Sequence, residues 1–254
     1  MDPASRAALD TAERRGYLPA LRAQAKAVCA PFWWHGRDED NSYMVFHNGT
    51  VSFVDTGSRK LAITADHVLA QYLEDRARNP TVVCQFGSST VEIADRVIAR
   101  DPRQDLATID VSEVLVGGTG SSFHSPPKWP PSPISMGDVV VCGGFPGNQR
   151  VERKTTADLP FQWFIGRANS ASPHNVSLHL DFENMHTPLG NADFLNRIIG
   201  GMSGGPVFRF VPSPVEYLEQ VGVIYQIHES LELVVARPTV LIDAGGSITP
   251  EHAA

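Results

Sequence analysis

The chain has 254 residues, of which 42% are hydrophobic and 19% charged, a composition typical of a globular protein with one large domain or two small ones. A formal net charge of −7 without a basic stripe argues against a nucleic-acid partner, and no apolar run approaches the roughly 20 residues of a membrane-spanning helix. The charged first 30 residues lack the apolar core of a signal peptide, and three cysteines are too few for a disulfide framework. We therefore expect a cytoplasmic protein whose cysteines are small buried hydrophobic residues.

The start of the chain predicts a short helical extension. Residues 4–28 are rich in the helix formers Ala, Arg, Leu and Glu, and a glycine and a proline divide them into two short helices, the second near Ala20–Val28. The aromatic run Phe32–Trp34 follows, and aromatic residues this close to the start of a domain are expected to close a core. We therefore assign residues 1–40 to an N-terminal helical extension, and we expect no chemistry from residues 4–28.

From residue 41 onward, short segments rich in Val, Ile, Phe and Thr alternate with turn residues, which is typical of an all-β protein. Residues 41–118 contain six such segments and residues 134–254 contain six more, while the Gly-, Ser- and Pro-rich residues 119–133 between them have the composition of a linker. The first group also contains a helix, predicted over Val68–Ala77. The sequence therefore predicts an all-β fold of two six-stranded antiparallel β-barrels with a cleft between them. The predicted strands are Tyr43–His47, Thr50–Asp55, Lys60–Thr64, Thr81–Phe86, Thr90–Ile98, Ala107–Val111, Val139–Cys142, Phe161–Ala168, Val176–Phe182, Val207–Phe210, Gln220–Ile227 and Leu231–Ala236.

A serine lies between two pairs of glycines in the stretch Gly200–Val207. Glycine loses more conformational entropy on folding than any other residue, so a dense run of glycines needs a backbone reason. If the hydroxyl of Ser203 attacks a carbonyl group, the backbone N–H groups of Gly201 and Ser203 can turn toward the oxyanion that develops. The stretch predicts a nucleophilic serine, and the alternative is a glycine-rich turn between two strands.

Two further residues can supply what such a serine needs. A serine hydroxyl becomes a nucleophile when a base accepts its proton, and a third group must orient that base. His67 follows an apolar strand and precedes the predicted helix, and Asp105 leads into a predicted buried strand. Each residue alone is weak evidence, but the order His, Asp, Ser across both predicted barrels is much stronger.

Five motifs resemble the chymotrypsin- and trypsin-like serine peptidases, and together they cover most of the chain from about residue 42 to residue 243. They are the Gly-x-Ser-Gly-Gly-Pro pattern around Ser203, Thr64–Val68, Asp105–Ala107, Gly222–Tyr225, and Gly137–Gly147, which is similar to the bacterial Deg/HtrA branch. The resemblance implies chymotrypsin-like barrels and an intracellular serine endopeptidase that hydrolyses polypeptides through an acyl-enzyme intermediate. We expect no metal, no other cofactor and no appended PDZ domain.

The resemblance also assigns roles to residues of this chain. It implies His67 as general base and acid, Asp105 as its orienting group, Ser203 as nucleophile, and the amides of Gly201 and Ser203 as the oxyanion hole. Asp66 departs from the pattern, because the family usually has alanine beside the base. This carboxylate could compete with Asp105 in the electrostatics of His67.

The same resemblance locates a pocket for the substrate residue before the scissile bond, formed by Arg197, Tyr225, Gln226 and Ile227. Ile227 falls where many family members have glycine, so its side chain is expected to narrow the pocket. No carboxylate in the short segment before Ser203 can pair with a Lys or Arg side chain, and Arg197 would repel one. The sequence predicts cleavage after small or medium apolar residues, or after acidic residues if Arg197 points into the pocket.

One catalytic alternative is an α/β-hydrolase esterase, because the stretch from Gly201 to Gly205 also satisfies Gly-x-Ser-x-Gly. In that fold the acid and the histidine follow the serine in the chain. Asp243 and His252 are the residues placed to fill those positions. The fold also needs long helices that alternate with strands, which this sequence lacks.

Two interpretations without peptide hydrolysis stay open. A protease-like domain can serve in binding alone, because a complete triad can lie beside a collapsed oxyanion hole. A metal could be held by polar residues of the second half, but their spacing matches no specific ligand motif and the wet face of a strand explains them as well. Those residues are His174, His179, Asp181 and His186.

Overall fold

The computed structural model describes residues 16–37, 42–114, 120–153, 156–179, 200–211, 217–228, 231 and 233–250. Its strands form one antiparallel sheet from the first half of the chain and one closed antiparallel barrel from the second half. The all-β, chymotrypsin-like fold class predicted from the sequence is confirmed. Within the described residues, no helix has both the length and the apolar character needed to cross a membrane.

The first sheet contains seven strands. They are β1 (Cys29–Arg37), β2 (Tyr43–Asp55), β3 (Lys60–Thr64), β4 (Val83–Phe86), β5 (Ser89–Thr90), β6 (Val97–Asp101) and β7 (Leu106–Asp110). Their spatial order is β5-β4-β1-β2-β3-β7-β6, and each neighbouring pair is antiparallel. This order places β3 between β2 and β7, so the chain leaves an interior strand of the sheet where β3 ends.

Strand β1 lies in the segment that the sequence assigned to the helical extension, so the first sheet has seven strands where six were predicted. It pairs with β2 on one side and with β4 on the other. The sequence pattern did not predict this strand, because helix-forming residues precede it and Pro31 lies within it. Proline is unusual inside a sheet. The aromatic run Phe32–Trp34 is buried, which confirms that it closes a core. The domain limits themselves stay a prediction.

The second half forms a closed six-stranded barrel, as predicted. Its strands are β8 (Val139–Gly144), β11 (Gln162–Ala171), β12 (Val176–His179), β13 (Pro206–Val211), β14 (Tyr217–His228) and β15 (Leu233–Pro238), in the order β11-β12-β15-β14-β13-β8. A separate hairpin, which the sequence did not predict, is formed by β9 (Val151–Arg153) and β10 (Thr156–Asp158). It lies on the connection between β8 and β11.

In the described part of the chain, two α-helices pack on different parts of the fold. Helix α1 (Tyr17–Ala27) covers strand β8 of the second barrel, with Ala25 buried in that contact. Helix α2 (Asp66–Arg78) connects β3 to β4 and buries Val68, Leu69 and Tyr72 against the first sheet. The prediction of a helix over Val68–Ala77 is confirmed, and the helix begins at Asp66, so His67 belongs to its first turn.

Between the two sheets, His124 occupies a buried position. Its backbone joins β2, where His124 N donates to Phe53 O and Asp55 N donates to His124 O. Its ring packs edge-on against Phe208 of the second barrel at 5.3 Å, and no described residue forms a hydrogen bond with Nε2. Burial lowers the pKa of His124 to about 4, although the charge of Glu219 acts in the opposite direction. The imidazole is therefore neutral in the folded protein down to mildly acidic pH.

The low pKa of His124 predicts a loss of stability in acid. An unfolded histidine has a pKa of about 6.5, so between pH 6.5 and pH 4 the unfolded chain binds a proton that the folded chain does not. The stabilisation is complete above pH 6.5 and falls by about 3 kcal/mol as pH drops to 4. Urea unfolding of the wild type and of His124→Leu over this range should show a shallower pH dependence for the variant. Parallel curves would contradict the prediction.

Candidate active site

His67 is positioned by the junction between strand β3 and helix α2. Strand β3 is almost entirely buried between β2 and β7, and it ends at Thr64. The chain then turns at Ala65, whose extended backbone precedes the first turn of the helix. His67 follows directly, with half of its side chain exposed to solvent. The buried strand β3 thus fixes the position of His67, and the imidazole remains accessible to solvent.

Asp105 reaches the same place from the neighbouring strand. It lies in the turn between β6 and β7, with a left-handed backbone (φ 51°) that is uncommon for a residue with a side chain. In the antiparallel pairing of β3 with β7, Thr64 lies opposite Ala107, so the residues just beyond Thr64 lie next to those just before Ala107. The register of two buried strands therefore brings Asp105 beside His67. The turn is held by Asp101, whose carboxylate accepts hydrogen bonds from the backbone of Arg103 and from Gln104.

The carboxylate of Asp105 holds His67 at two points. Oδ2 lies 2.7 Å from Nδ1 of the His67 ring, and Oδ1 accepts the backbone N–H of His67 at 2.8 Å. An ionised carboxylate can only accept hydrogen bonds, so the proton of the neutral imidazole lies on Nδ1 and Nε2 keeps its lone pair. Asp105 is mostly buried, with 18% of its side chain exposed. The arrangement fixes both the position of the ring and its tautomer.

Asp66 does not share this role. Its side chain is 5% exposed and forms a forked pair with Arg100 of β6, with Nε to Oδ1 at 2.6 Å and Nη2 to Oδ2 at 3.1 Å. The hydrogen bond to Asp66 raises the pKa of the Arg100 guanidinium, against burial, which lowers it. Both carboxylate oxygens of Asp66 face Arg100, so among the described residues Asp66 does not compete with Asp105 for a hydrogen bond to the His67 ring. The pair instead ties the start of helix α2 to strand β6.

Ser203 lies in a tight loop just before strand β13. Gly201 and Gly204 both have positive φ values, of 98° and 89°, in the region that favours glycine. A side chain at Gly204 would also overlap the carbonyl oxygen of Thr50 and the hydroxyl of Thr64. Between the glycines, Met202 is completely buried in the core of the second barrel, while Ser203 is partly exposed. The backbone conformation and the close contacts of this loop therefore require glycine at positions 201 and 204. The loop buries Met202 and leaves Ser203 partly exposed.

The loop is attached to the sheet that carries His67. The backbone N–H of Thr50 donates to the carbonyl of Ser203 at 2.8 Å, and the hydroxyl of Thr64 donates to the carbonyl of Thr50 at 2.8 Å. Thr64 precedes His67 by three residues. Within the described residues, the Ser203 hydroxyl has a single hydrogen bond, to Tyr225 O at 3.4 Å, and none to His67. The structure thus joins His67 to Asp105 and bonds the backbone of the Ser203 loop to strand β2 of the same sheet, while the Ser203 hydroxyl points to strand β14.

The amides predicted to form the oxyanion hole are available as donors. Neither the N–H of Gly201 nor that of Ser203 donates a hydrogen bond to any residue in the described part of the chain. The carbonyl groups around them are all occupied, by donors from Gly147, Thr50 and Gly205. Two unused donors next to a partly exposed serine can bind a negatively charged oxygen.

The predicted pocket residues have different environments. Tyr225 is half-buried, its hydroxyl donates to Asn175 Oδ1 at 3.1 Å, and the guanidinium of Arg237 lies 4.3 Å from its ring centre. Gln226 is exposed, and Ile227 is half-buried against the core of the second barrel. The pairing of β14 with β15 shifts between Ile224 and Gln226, a bulge of the kind that re-aims side chains next to functional sites. Arg197 lies outside the described residues.

Sequence reasoning missed four residues around this site, namely Thr50, Arg100, Asn175 and Arg237. The hydrogen bonds of Thr50, Arg100 and Arg237 all join segments that are far apart in the chain, and no local sequence motif marks these residues. Asp66 was the one available signal, because a carboxylate in a buried strand-to-helix junction needs a cation as partner. Arg237 combines its contact to Tyr225 with hydrogen bonds to Asn175 Oδ1 and to the carbonyl of Arg103.

The fold and this site define a protein of the chymotrypsin-like class, with a His–Asp pair on the first sheet and a glycine-flanked serine on the second barrel. The profile described as a trypsin-like peptidase domain matches residues 35–210, well over half of the chain, and the chain belongs to that family. Membership indicates a serine-protease type of function with polypeptides as substrates. No curated protein sequence matches the chain.

Proposed function

We propose that the chain is a serine endopeptidase that uses His67, Asp105 and Ser203 as its catalytic triad. The observation that carries this proposal is the two-point contact between Asp105 and His67, at 2.7 and 2.8 Å. In the neutral imidazole this contact places the proton on Nδ1 and leaves the lone pair of Nε2 free, as a general base requires, and half of the His67 side chain is exposed. Membership of the trypsin-like family and the two unused amides beside Ser203 support the same assignment.

In the proposed mechanism, Ser203 releases the carbonyl of Tyr225 and donates its proton to Nε2 of His67. Serine-to-base hydrogen bonds are often long or unformed in proteins without substrate and tighten when the substrate binds. The Ser203 oxygen then forms a bond to the carbonyl carbon of the peptide, and the electron pair of the C=O bond moves onto oxygen. The amides of Gly201 and Ser203 stabilise this oxyanion.

Collapse of the tetrahedral intermediate breaks the C–N bond, and His67 gives its proton to the leaving amine. The result is an ester between Ser203 and the acyl part of the substrate. Water then repeats the sequence, with His67 accepting its proton and returning that proton to Ser203 as the ester is cleaved. Asp105 stabilises the imidazolium in both halves by remaining ionised on Nδ1–H.

The fold removes the esterase alternative. An α/β-hydrolase has a mostly parallel sheet, whereas every described strand pair in this chain is antiparallel except for one isolated bridge, between Val54 and His124. The Asp243 carboxylate accepts the backbone N–H groups of Gly245 and Ser247 within its own turn, and His252 lies outside the described residues. The antiparallel topology, rather than the chain order of these residues, therefore argues against an α/β-hydrolase.

A binding domain without catalysis is the second candidate, because the Ser203 hydroxyl contacts Tyr225 rather than His67. A fluorophosphonate probe distinguishes the two, since it reacts with a serine only when a base and an oxyanion site assist. Peptide mapping of the labelled protein by mass spectrometry should find one phosphonyl group on Ser203. Labelling of the native chain no faster than of the urea-unfolded chain would reject the peptidase and favour the binding domain.

We also propose an intracellular setting, with support from the cysteines. All three are free thiols buried in the fold, and burial raises the pKa of Cys84 and Cys142 well above the ordinary value. Such thiols are poor nucleophiles and fit the reducing environment in which disulfides are rare. Fractionation of cells that produce the chain tests this proposal, and recovery in the medium or the periplasm would contradict it.

The proposed specificity is for small or medium apolar residues before the scissile bond. The described pocket residues Tyr225, Gln226 and Ile227 include no carboxylate. The guanidinium of Arg237 adds a positive charge beside Tyr225. A confined Lys or Arg side chain without a counter-ion costs several kcal/mol. Digestion of a mixed peptide library should yield cleavage after residues such as Ala, Val or Leu. Dominant cleavage after Lys or Arg would overturn the pocket assignment while leaving the triad intact.

A further inference from the structure

Four successive carbonyl groups around the serine each accept a hydrogen bond. Gly200 O accepts from Gly147 N at 2.6 Å, and Met202 O accepts from Gly205 N at 2.9 Å. Between them, Gly201 O accepts from the hydroxyl of Thr50 at 2.9 Å, and Ser203 O accepts from the backbone N–H of Thr50 at 2.8 Å. Each of these four peptide units is therefore held by a hydrogen bond to its carbonyl group.

These carbonyl contacts determine where the amides point. A trans peptide unit is planar, so its N–H points away from its own C=O. The N–H of Gly201 shares a plane with Gly200 O, and the N–H of Ser203 shares a plane with Met202 O. Both amides therefore point away from the atoms that hold their carbonyls. The peptide between these two planes joins Gly201 to Met202, and its carbonyl is held by the Thr50 side chain.

Thr50 is a buried residue on strand β2 whose polar groups all bind segments of the site. Its exposure is 0%, and its hydroxyl donates to Gly201 O while accepting the backbone N–H of Phe145 at 3.0 Å. Its N–H binds Ser203 O, and its carbonyl accepts the hydroxyl of Thr64, three residues before His67. The hydroxyl thus links the serine loop to the segment that starts at Phe145 and supplies Gly147 N.

We propose that Thr50 is a positioning residue, whose buried hydroxyl holds the Gly201–Met202 peptide so that the amides of Gly201 and Ser203 stay directed at the developing oxyanion. This inference rests on the proposed function of Ser203 as nucleophile. Gly201 has a positive φ and no side chain, so its backbone has more freedom to rotate than that of other residues. Without the hydroxyl, the partly buried Gly201 carbonyl and the buried N–H of Phe145 both lose this partner, and the Gly201–Met202 peptide can rotate until its carbonyl reaches water.

Thr50→Val tests the proposal, because valine keeps the branched shape and removes only the hydroxyl function. Thr50→Ser restores a hydroxyl and is the conservative rescue variant. Ser52→Ala is the matched control, since Ser52 lies two residues away on the same strand, is equally buried, and also bridges the two halves by accepting Gln220 Nε2 at 2.8 Å. If Thr50→Val does not fold, Thr50→Ala takes its place, because it also lacks the hydroxyl.

Each variant is measured in three ways: kcat and KM for p-nitrophenyl butyrate, the rate of fluorophosphonate labelling, and the urea midpoint of unfolding. For Thr50→Val we expect kcat and the labelling rate to fall about 10- to 100-fold, with KM little changed, because the oxyanion forms after the substrate binds. Thr50→Ser and Ser52→Ala should stay within about threefold of the wild type in kcat. The urea midpoint should fall for both Thr50→Val and Ser52→Ala.

The outcomes separate the inference from the proposed function. A wild type that labels at Ser203 beside a Thr50→Val variant with unchanged kcat and labelling rate overturns the role of Thr50 alone. Equal losses of kcat in Thr50→Val and Ser52→Ala also overturn it, because the hydroxyl would then act through general stability. A wild type that fails to label overturns the triad and, with it, the role of Thr50.

Discussion

Ser203→Ala should abolish peptidase activity while leaving the protein folded. In serine peptidases the loss of the nucleophile lowers kcat by about 10⁶-fold, because the base and the orienting carboxylate have no function without it. The Ser203 hydroxyl has one long hydrogen bond, of 3.4 Å, to Tyr225 O, so its removal should change the free energy of unfolding by no more than about 1 kcal/mol. Hydrolysis of a labelled protein substrate, together with urea unfolding, measures both quantities.

The control for this substitution is Ser52→Ala, which also removes a serine hydroxyl but one that contacts Ile63 O and Gln220. It should retain activity and lose more stability than Ser203→Ala, because Ser52 is fully buried. Full turnover by Ser203→Ala would show that another residue is the nucleophile. A large loss of stability in that variant would instead assign Ser203 a structural role.

Asp105→Asn should lower kcat by about 10⁴-fold without disturbing the backbone. The neutral amide has the same shape as the carboxylate, but its NH₂ group can only donate. When that group faces Nδ1, the ring proton moves to Nε2, which can then no longer accept the proton of Ser203. The backbone N–H of His67 still has an oxygen at 2.8 Å in place of Oδ1, so the turn is preserved. Turnover of an ester substrate measures the loss, and circular dichroism checks the fold.

Asp66→Asn is the matched control, because Asp66 neighbours His67 in the chain and carries the same functional group. We expect its kcat to fall by less than about tenfold, since both of its oxygens face Arg100 and neither contacts the imidazole. Its stability should fall by about 1–3 kcal/mol, because a buried charged hydrogen bond is weakened. Equal losses of kcat in the two variants would show that the carboxylates share the role assigned to Asp105.

Local sequence signals predicted the parts of this protein that depend on local physics. Alternating apolar residues and turn residues predicted the β fold and the closed second barrel, because each strand must bury one face. Helix α2 was predicted from its residues, and the dense run of glycines around Ser203 indicated a backbone requirement, which the structure shows as positive φ at Gly201 and Gly204. The contexts of His67 and Asp105 were also local, each being a strand boundary at the edge of a buried segment.

Only the tertiary structure decided how these segments meet. The strand β1, the pairing of Asp66 with Arg100 and the direction of the Ser203 hydroxyl all depend on contacts between residues that are distant in the chain. Thr50 illustrates the reason most clearly. Its four hydrogen bonds reach Thr64, Phe145, Gly201 and Ser203, so its role exists only when both halves of the chain have folded against each other. A threonine in a β-rich segment has no feature in the sequence that separates it from any other, because burial and partners, rather than residue type, give its hydroxyl a function.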